Sequence, residues 1–169
     1  VTGLDTDPRW VAEARAREHR TLEASPFEWL RDRAEAFDLI FGEQEVNHLT
    51  RSELEGLILL FGSALRPAGR LVLNAANSAN PVVATEHPGN NWDHRLVTAE
   101  GNLRQAFERL GFRDVTPFPL DFYVLWKNPA NYVARLVTGA IHLTLRVVFL
   151  MYGKDAKIFT KRLGITGVR

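Results

Sequence analysis

The chain has 169 residues, 46% of them apolar and 24% charged, with a net charge of +1. That balance excludes a disordered chain or a coiled coil, and it fits one domain with a core of its own. With no cysteine, disulfides and thiolate metal sites are excluded, and a reducing compartment such as the cytoplasm is the expectation.

Val1-Thr2-Gly3-Leu4-Asp5 reads as a short buried strand that ends in an acid. Because Val1 already lies in an apolar run, the chain is expected to start inside a domain. Thr6 or Asp7 suits the cap of the following helix and Pro8 its first position, with Trp10, Val11 and Ala14 on its apolar face. Thr21-Leu22-Glu23-Ala24 is a weaker strand, broken by Ser25-Pro26.

Phe37-Asp38-Leu39-Ile40-Phe41 is a buried strand, followed by a polar loop that holds Glu45 and His48. Thr50-Arg51-Ser52-Glu53 has the form of a capping box, with Leu49 and Leu54 placed for a hydrophobic staple. Leu54, Leu57, Ile58, Phe61 and Leu65 then recur at helical spacing as one apolar stripe. Pro67 is expected to stop this helix and Gly69 to permit the turn into the strand Arg70-Leu71-Val72-Leu73. In an open α/β sheet, ligands bind beyond the carboxyl ends of the strands, so the loop of Glu45 and His48 is where chemistry is expected.

Residues 74–97 carry five asparagines and no period, and they read as a long functional loop. Thr98 is expected to cap a helix with Leu103, Ala106, Phe107 and Leu110 inward, ended by Gly111. Phe112 to Phe118 is a strand, and Pro117 puts it at a sheet edge. Asn128-Pro129 opens a helix of more than twenty residues. Asn131, Arg135, Thr138, His142 and Arg146 share one of its faces, with Tyr132, Leu136, Ala140, Val147 and Met151 opposite. Its charges recur too often for a membrane span. Packing on the body is the default, and lying on a membrane surface is the alternative. Lys157-Ile158-Phe159-Thr160 suggests a last strand, antiparallel at an edge.

Charge is unevenly spread. From Leu125 onward Asp155 stands alone against eight Lys or Arg, while the earlier part carries −6. A basic final third favours an anionic partner or a solvated face. Few aromatics interleave with these cations, which argues against nucleic acid.

Taken in order, Gly3-Leu4-Asp5-Thr6-Asp7-Pro8, Phe37-Asp38-Leu39-Ile40, Glu45-Val46-Asn47-His48-Leu49 and Leu65-Arg66-Pro67-Ala68-Gly69-Arg70-Leu71 resemble class I S-adenosylmethionine-dependent methyltransferases. The likeness runs from that family's second strand to its last and covers nearly the whole chain. It implies an α/β, Rossmann-like, doubly wound and mostly parallel sheet with an antiparallel edge strand. The chain would be a single domain: residues 1–73 form the cofactor side, 74–97 an acceptor loop and 98–169 a half carrying the amphipathic helix. The family's first strand and glycine-rich loop have no counterpart here, and Ala68 stands where glycine is usual.

The resemblance also implies roles. Asp5 matches the acid that binds the cofactor ribose, and Thr6 and Asp7 line the adenosine pocket; otherwise Asp5 is an acid at a helix start. Glu23 and Ala24 resemble the pair that reads the adenine amino group, and Gly42, Glu43, Gln44 and Glu45 lie near the methionine end. His48 matches a family histidine that takes the acceptor proton, or it is a structural contact before the cap at Thr50.

A narrower likeness, through Asn77-Ser78-Ala79-Asn80-Pro81 and Trp92-Asp93-His94-Arg95-Leu96-Val97-Thr98, is to methyltransferases of bacterial cell-surface glycan synthesis. It would put Asp93 and His94 at the acceptor site, with His94 alternatively a brace for the next helix. The implied cofactor is S-adenosyl-L-methionine, and the implied acceptor is a small-molecule or lipid-linked sugar, methylated at oxygen. The implied place is the cytoplasm, at the inner face of the membrane through peripheral contact of the basic third. A metal held by His87, Asp93 and His94 is disfavoured, because a loop lacks the spacing that fixes ligands. Other readings stay open: another nucleotide-cofactor enzyme, with its ribose acid after a strand, an inactive fragment, or a module that binds anionic surfaces.

Overall fold

In the computed structural model the described residues are all but Gln44, Asn91 and 121–127, with the side chains of Glu45 and 86–90 also left aside. The elements run β1 (Gly3–Asp5), α1 (Pro8–Ala16), β2 (Thr21–Glu23), α2 (Pro26–Trp29), β3 (Phe37–Glu43), a 3-10 turn (Glu45–Asn47), α3 (Arg51–Ala64), β4 (Leu65–Ala76), α4 (Pro81–Asn90), α5 (Glu100–Arg109), β5 (Arg113–Leu120), α6 (Ala130–Met151) and β6 (Arg162–Val168).

These strands make two sheets. β1 and β2 pair in parallel, and β3-β4-β6-β5 form a second sheet in that order. β3 and β4 are parallel, whereas β6 is antiparallel to both of its neighbours. Three of the four strands therefore point the same way. The antiparallel strand lies inside the sheet and not at its edge, as the sequence had suggested. It is also Arg162–Val168 rather than residues 157–160. β5 takes the edge, as Pro117 required.

The core lies on one face of this sheet. Leu71, Leu73, Ala75, Leu163 and Ile165 pack there with Leu54, Leu57, Ile58 and Phe61 of α3 and Leu103 and Phe107 of α5. Four members of the apolar stripe expected for α3 are thus buried together, while Leu65, also buried, opens β4 instead. Its start is fixed by the capping box: the Thr50 N–H donates to Glu53 Oε2 at 2.7 Å, and the Glu53 N–H donates to Thr50 Oγ1 at 3.3 Å. The other face of the sheet leaves Leu39 and Phe41 of β3 more than half exposed among the described residues, although the sequence suggested a buried strand there.

Three local expectations are corrected. α4 occupies much of the stretch read as a loop; it starts at Pro81, where Asn80 Oδ1 accepts the Val82 N–H at 3.0 Å. Thr98 does not cap α5: its hydroxyl donates to the Ala76 carbonyl, and Ala99 takes the cap position with its N–H donating to Asn102 Oδ1 at 2.8 Å. α6 packs on the body only in part: none of its apolar window is buried, while Asn131, Thr138, His142, Leu145 and Phe149 are half-covered along one face and Phe149 meets Phe159.

Candidate site at the strand ends

At the tip of β1, the Asp7 N–H donates to Asp5 Oδ1 at 2.8 Å. This local bond is the one short Asx side chains make to the backbone two residues on, and it holds the carboxylate just beyond the strand. Oδ2 has no donor among the described residues. Asp5 lies opposite Glu23 in the parallel register, and the Ala24 N–H donates to the Asp5 carbonyl at 3.1 Å. The fold therefore brings Asp5, Glu23 and Ala24 together, with Thr6 exposed beside them.

Asp7 is the helix cap, not Thr6. Its Oδ1 accepts the Arg9 N–H at 2.9 Å, and its carboxylate pairs with the Arg9 guanidinium at 2.7 Å. The hydrogen bonds from the Arg9 side chain, then its backbone N–H, hold the Asp7 carboxyl below the usual aspartate value. Its side chain is committed to α1, its N–H to Asp5, and its carbonyl to the Val11 N–H at 3.1 Å.

At the carboxyl end of β3, a Cβ on Gly42 would come within 2.7 Å of Leu73 Cδ2. The neighbouring side chain already fills that space. Glu43 Oε1 accepts from the Arg162 guanidinium at 3.1 Å and from Asn74 Nδ2 at 3.4 Å. Arg162 thus reaches across β4 to tie β6 to β3 at this end of the sheet. Asn74 is buried, and its Oδ1 has no partner among the described residues. The Glu45 carboxylate lies outside the described side chains, as does Gln44. No hydrogen bond among the described residues joins the group at Asp5 to the group at Glu43.

The two histidines meet. The rings of His48 and His94 have centroids 4.7 Å apart at an interplanar angle of 72°. Sequence reasoning missed what holds them there. Asn47 is buried, and its carbonyl accepts the N–H groups of Arg95 at 2.9 Å and Leu96 at 3.3 Å. Its Oδ1 accepts the Ala76 N–H at 3.3 Å and the Thr98 hydroxyl at 3.4 Å. Asn77, fully buried, donates to the carbonyls of Ile158 at 2.8 Å and Thr160 at 3.0 Å. The density of asparagines from Asn74 onward was the available signal for Asn77, and nothing comparable marked Asn47. His48 itself is exposed and His94 is half-buried, so the pair opens to solvent at the strand ends.

Among the described residues no cluster of three His, Asp or Glu is placed to hold a metal; the His87 side chain lies outside them. A groove between α3 and α5, lined by Arg51, Glu55, Leu96, Asn102 and Arg109, holds none of the candidate residues. It belongs to the helix layer, away from the strand ends where an α/β sheet binds ligands.

No family model and no curated protein matches this chain. Solved structures do. A SAM-dependent methyltransferase from Archaeoglobus fulgidus superposes with a TM-score of 0.69 at 16% identity, over 99% of this chain and 75% of its own. One from Thermotoga maritima, described as a possible histamine N-methyltransferase, gives 0.67 at 13%, over 99% and 72%. Phosphoethanolamine N-methyltransferase 2 of Haemonchus contortus, solved with S-adenosyl-L-methionine, gives 0.59 at 11%, over 100% of this chain and 43% of its own. At such identities the likeness is one of fold: the chain has the mixed, parallel-dominated Rossmann-like architecture of S-adenosylmethionine-dependent methyltransferases.

Proposed function

We propose that this protein transfers a methyl group from S-adenosylmethionine to an oxygen of a small-molecule or lipid-linked saccharide. The observation that best supports this reading is the Asp5 carboxylate, oriented at a strand tip by the Asp7 N–H. A carboxylate in that position suits ribose hydroxyls, because hydrogen bonds to a charged acceptor are the stronger kind. The fold shared with SAM-dependent methyltransferases points the same way.

In this reading Asp5 holds the ribose, Thr6 and Asp7 line the adenosine pocket, and Glu23 with Ala24 faces the adenine. Gly42, Glu43 and Glu45 border the methionine end. S-adenosylmethionine brings a methyl group already activated as a sulfonium. The protein's task is then to align acceptor oxygen, carbon and sulfur and to exclude water. His48 takes the acceptor proton, and His94 fixes the ring that does so. Among the described residues β1 and β3 each have a single strand partner.

Isothermal titration of the full-length protein with S-adenosylmethionine tests the assignment. Loss of a charged hydrogen bond costs about 1.5–3 kcal/mol, so Asp5→Ala should weaken binding by roughly 10- to 150-fold, given that 1.4 kcal/mol is about tenfold in affinity. An unchanged affinity removes Asp5 from the role.

A further inference from the structure

We propose that α6 is an in-plane anchor that seats this domain on an anionic lipid bilayer, with the strand-end site facing the membrane surface. The argument begins with exposure. α6 is 22 residues long, with a mean hydropathy of 1.6 over its most apolar window, and that window is 0% buried. Val133, Leu136, Leu143, Val147, Leu150 and Met151 all stand half or more exposed. The covered side of α6 is the one that carries Asn131, Thr138, His142 and Phe149, all half-buried, and an apolar arc of this extent left open on its other side marks an interaction surface.

Charge identifies the occupant. At helical spacing Arg135, His142 and Arg146 fall on one narrow face with Asn131 and Thr138, and the rest of the circumference is apolar apart from Thr144, whose hydroxyl donates to the Ala140 carbonyl. α6 contains no acidic residue. Arg135, Arg146 and the following Lys154 have no acidic partner among the described residues, unlike Arg162 with Glu43, Lys157 with Asp155 and Arg169 with Glu35. A wide apolar arc bordered only by cations matches acyl chains beneath phosphate headgroups. A second copy of α6 would bring those cations against one another.

Topology excludes a transmembrane span. β5 precedes α6 and β6 follows it, yet the two strands are hydrogen-bonded neighbours, with Leu120 opposite Arg162. One crossing of about 33 Å would leave them on opposite sides of the bilayer. The return is pinned as well. The Phe149 ring meets Phe159 with centroids 4.9 Å apart, and the Phe159 carbonyl accepts from Asn80 Nδ2 at 2.8 Å. Both ends of α6 belong to one side, so the helix lies along the surface.

This geometry deepens the methyl-transfer reading, on which its functional consequence rests. Arg162, where the chain re-enters the sheet, lies opposite both Ala76 and Leu120 and pairs with Glu43. Ala76 is in turn held by Asn47, next to His48. α6 is therefore attached at the end of the sheet that carries the histidines, and a bilayer beneath it would present a membrane-embedded acceptor with its polar head at the site.

The test is flotation of the full-length protein with vesicles of phosphatidylcholine alone, or of phosphatidylcholine mixed with phosphatidylglycerol. Binding is expected to the anionic vesicles and to weaken with added salt. Each Arg near the surface contributes about 1 kcal/mol, so Arg135→Gln with Arg146→Gln should lower the partition coefficient roughly 30-fold. Leu136→Glu with Leu143→Glu should abolish flotation while leaving the melting temperature and S-adenosylmethionine titration unchanged, since both positions are exposed. Failure of the unmodified protein to float overturns the proposal. So does a concentration-dependent dimer in sedimentation that the leucine substitutions dissolve. Neither outcome would touch the methyl-transfer reading, which the cofactor titration measures separately.

Discussion

The His48 and His94 imidazoles meet edge to face across two segments that are joined through the Asn47 carbonyl. A single peptide group thus sets the position of both rings. A positioned general base contributes about 10²–10⁴-fold, so His48→Ala should cost at least about 10²-fold in kcat with little change in KM for the cofactor. His94→Phe preserves a ring against His48 and should cost much less than His94→Ala. Release of S-adenosylhomocysteine in the presence of lipid-linked saccharides measures both. If the two His94 variants lose activity equally, His94 acts on the acceptor itself and not on its neighbour.

Gly164 of β6 marks where two strands and a ring come closest. A Cβ there would lie 2.3 Å from the Phe118 ring. Phe118 is directly opposite in the β5–β6 register, so neither strand can yield without disturbing the ladder. Gly164→Ala should destabilise by about 1–3 kcal/mol, as overpacking does. Pairing it with Phe118→Leu should recover part of the loss, read as midpoint shifts in urea unfolding. Equal melting of Gly164→Ala and the unmodified chain would mean that the ring swings aside freely.

That contact also explains what the sequence hid. α3 was legible because Thr50, Glu53 and the stripe from Leu54 to Phe61 all obey local rules, and every one of them is used. β6 was not, because its glycines lower strand propensity. Gly164 makes room for Phe118, and Gly167 lies against Phe107 and Phe112, so the reason for each residue is in another part of the chain. α4 was obscured by Pro88 and Gly89 within it, although Asn80-Pro81 marked its start. At the site, the types of Asp5, His48 and His94 could be picked out. The meeting of the two rings could not, because it depends on the Asn47 backbone receiving a distant segment. The covering of α6 was misjudged because helical spacing shows an apolar face and says nothing of what lies against it.

The capping box predicts an acid-sensitive element. The Thr50 backbone N–H, and then its hydroxyl, hold the Glu53 carboxyl below its ordinary value of 4.5. A group depressed on folding contributes stability that is present above its unfolded value and is lost as pH falls through its folded value. Thermal stability should therefore decline as the pH drops below about 4.5, in part through this residue. Glu53→Gln keeps an acceptor but cannot titrate, and its melting temperature should fall less steeply over that range. Parallel curves for the two proteins would assign the acid loss to other carboxylates.

Ala68 offers a test in which the same chemical change has opposite signs at two nearby sites. Between Phe37↔Leu65 and Leu39↔Arg70 the β3–β4 register shifts, and the extra residues of β4 turn back on themselves there. Ala68, where glycine is usual, takes φ 63° in that turn, the left-handed region. An L-residue pays about 1–2 kcal/mol in that conformation, which glycine avoids, while glycine adds unfolded-state freedom worth about 0.4–1 kcal/mol. Ala68→Gly should therefore stabilise by up to about 1 kcal/mol, which for a chain of this size is a rise of about 2–4 °C in melting temperature. Four residues earlier, Ala64 is the buried last residue of α3. Ala64→Gly there gives up helix propensity worth about 1 kcal/mol and should lower the melting temperature by a similar amount. Scanning calorimetry of the two variants distinguishes the cases, and a fall in both would show that the turn at Ala68 carries no strain that glycine relieves.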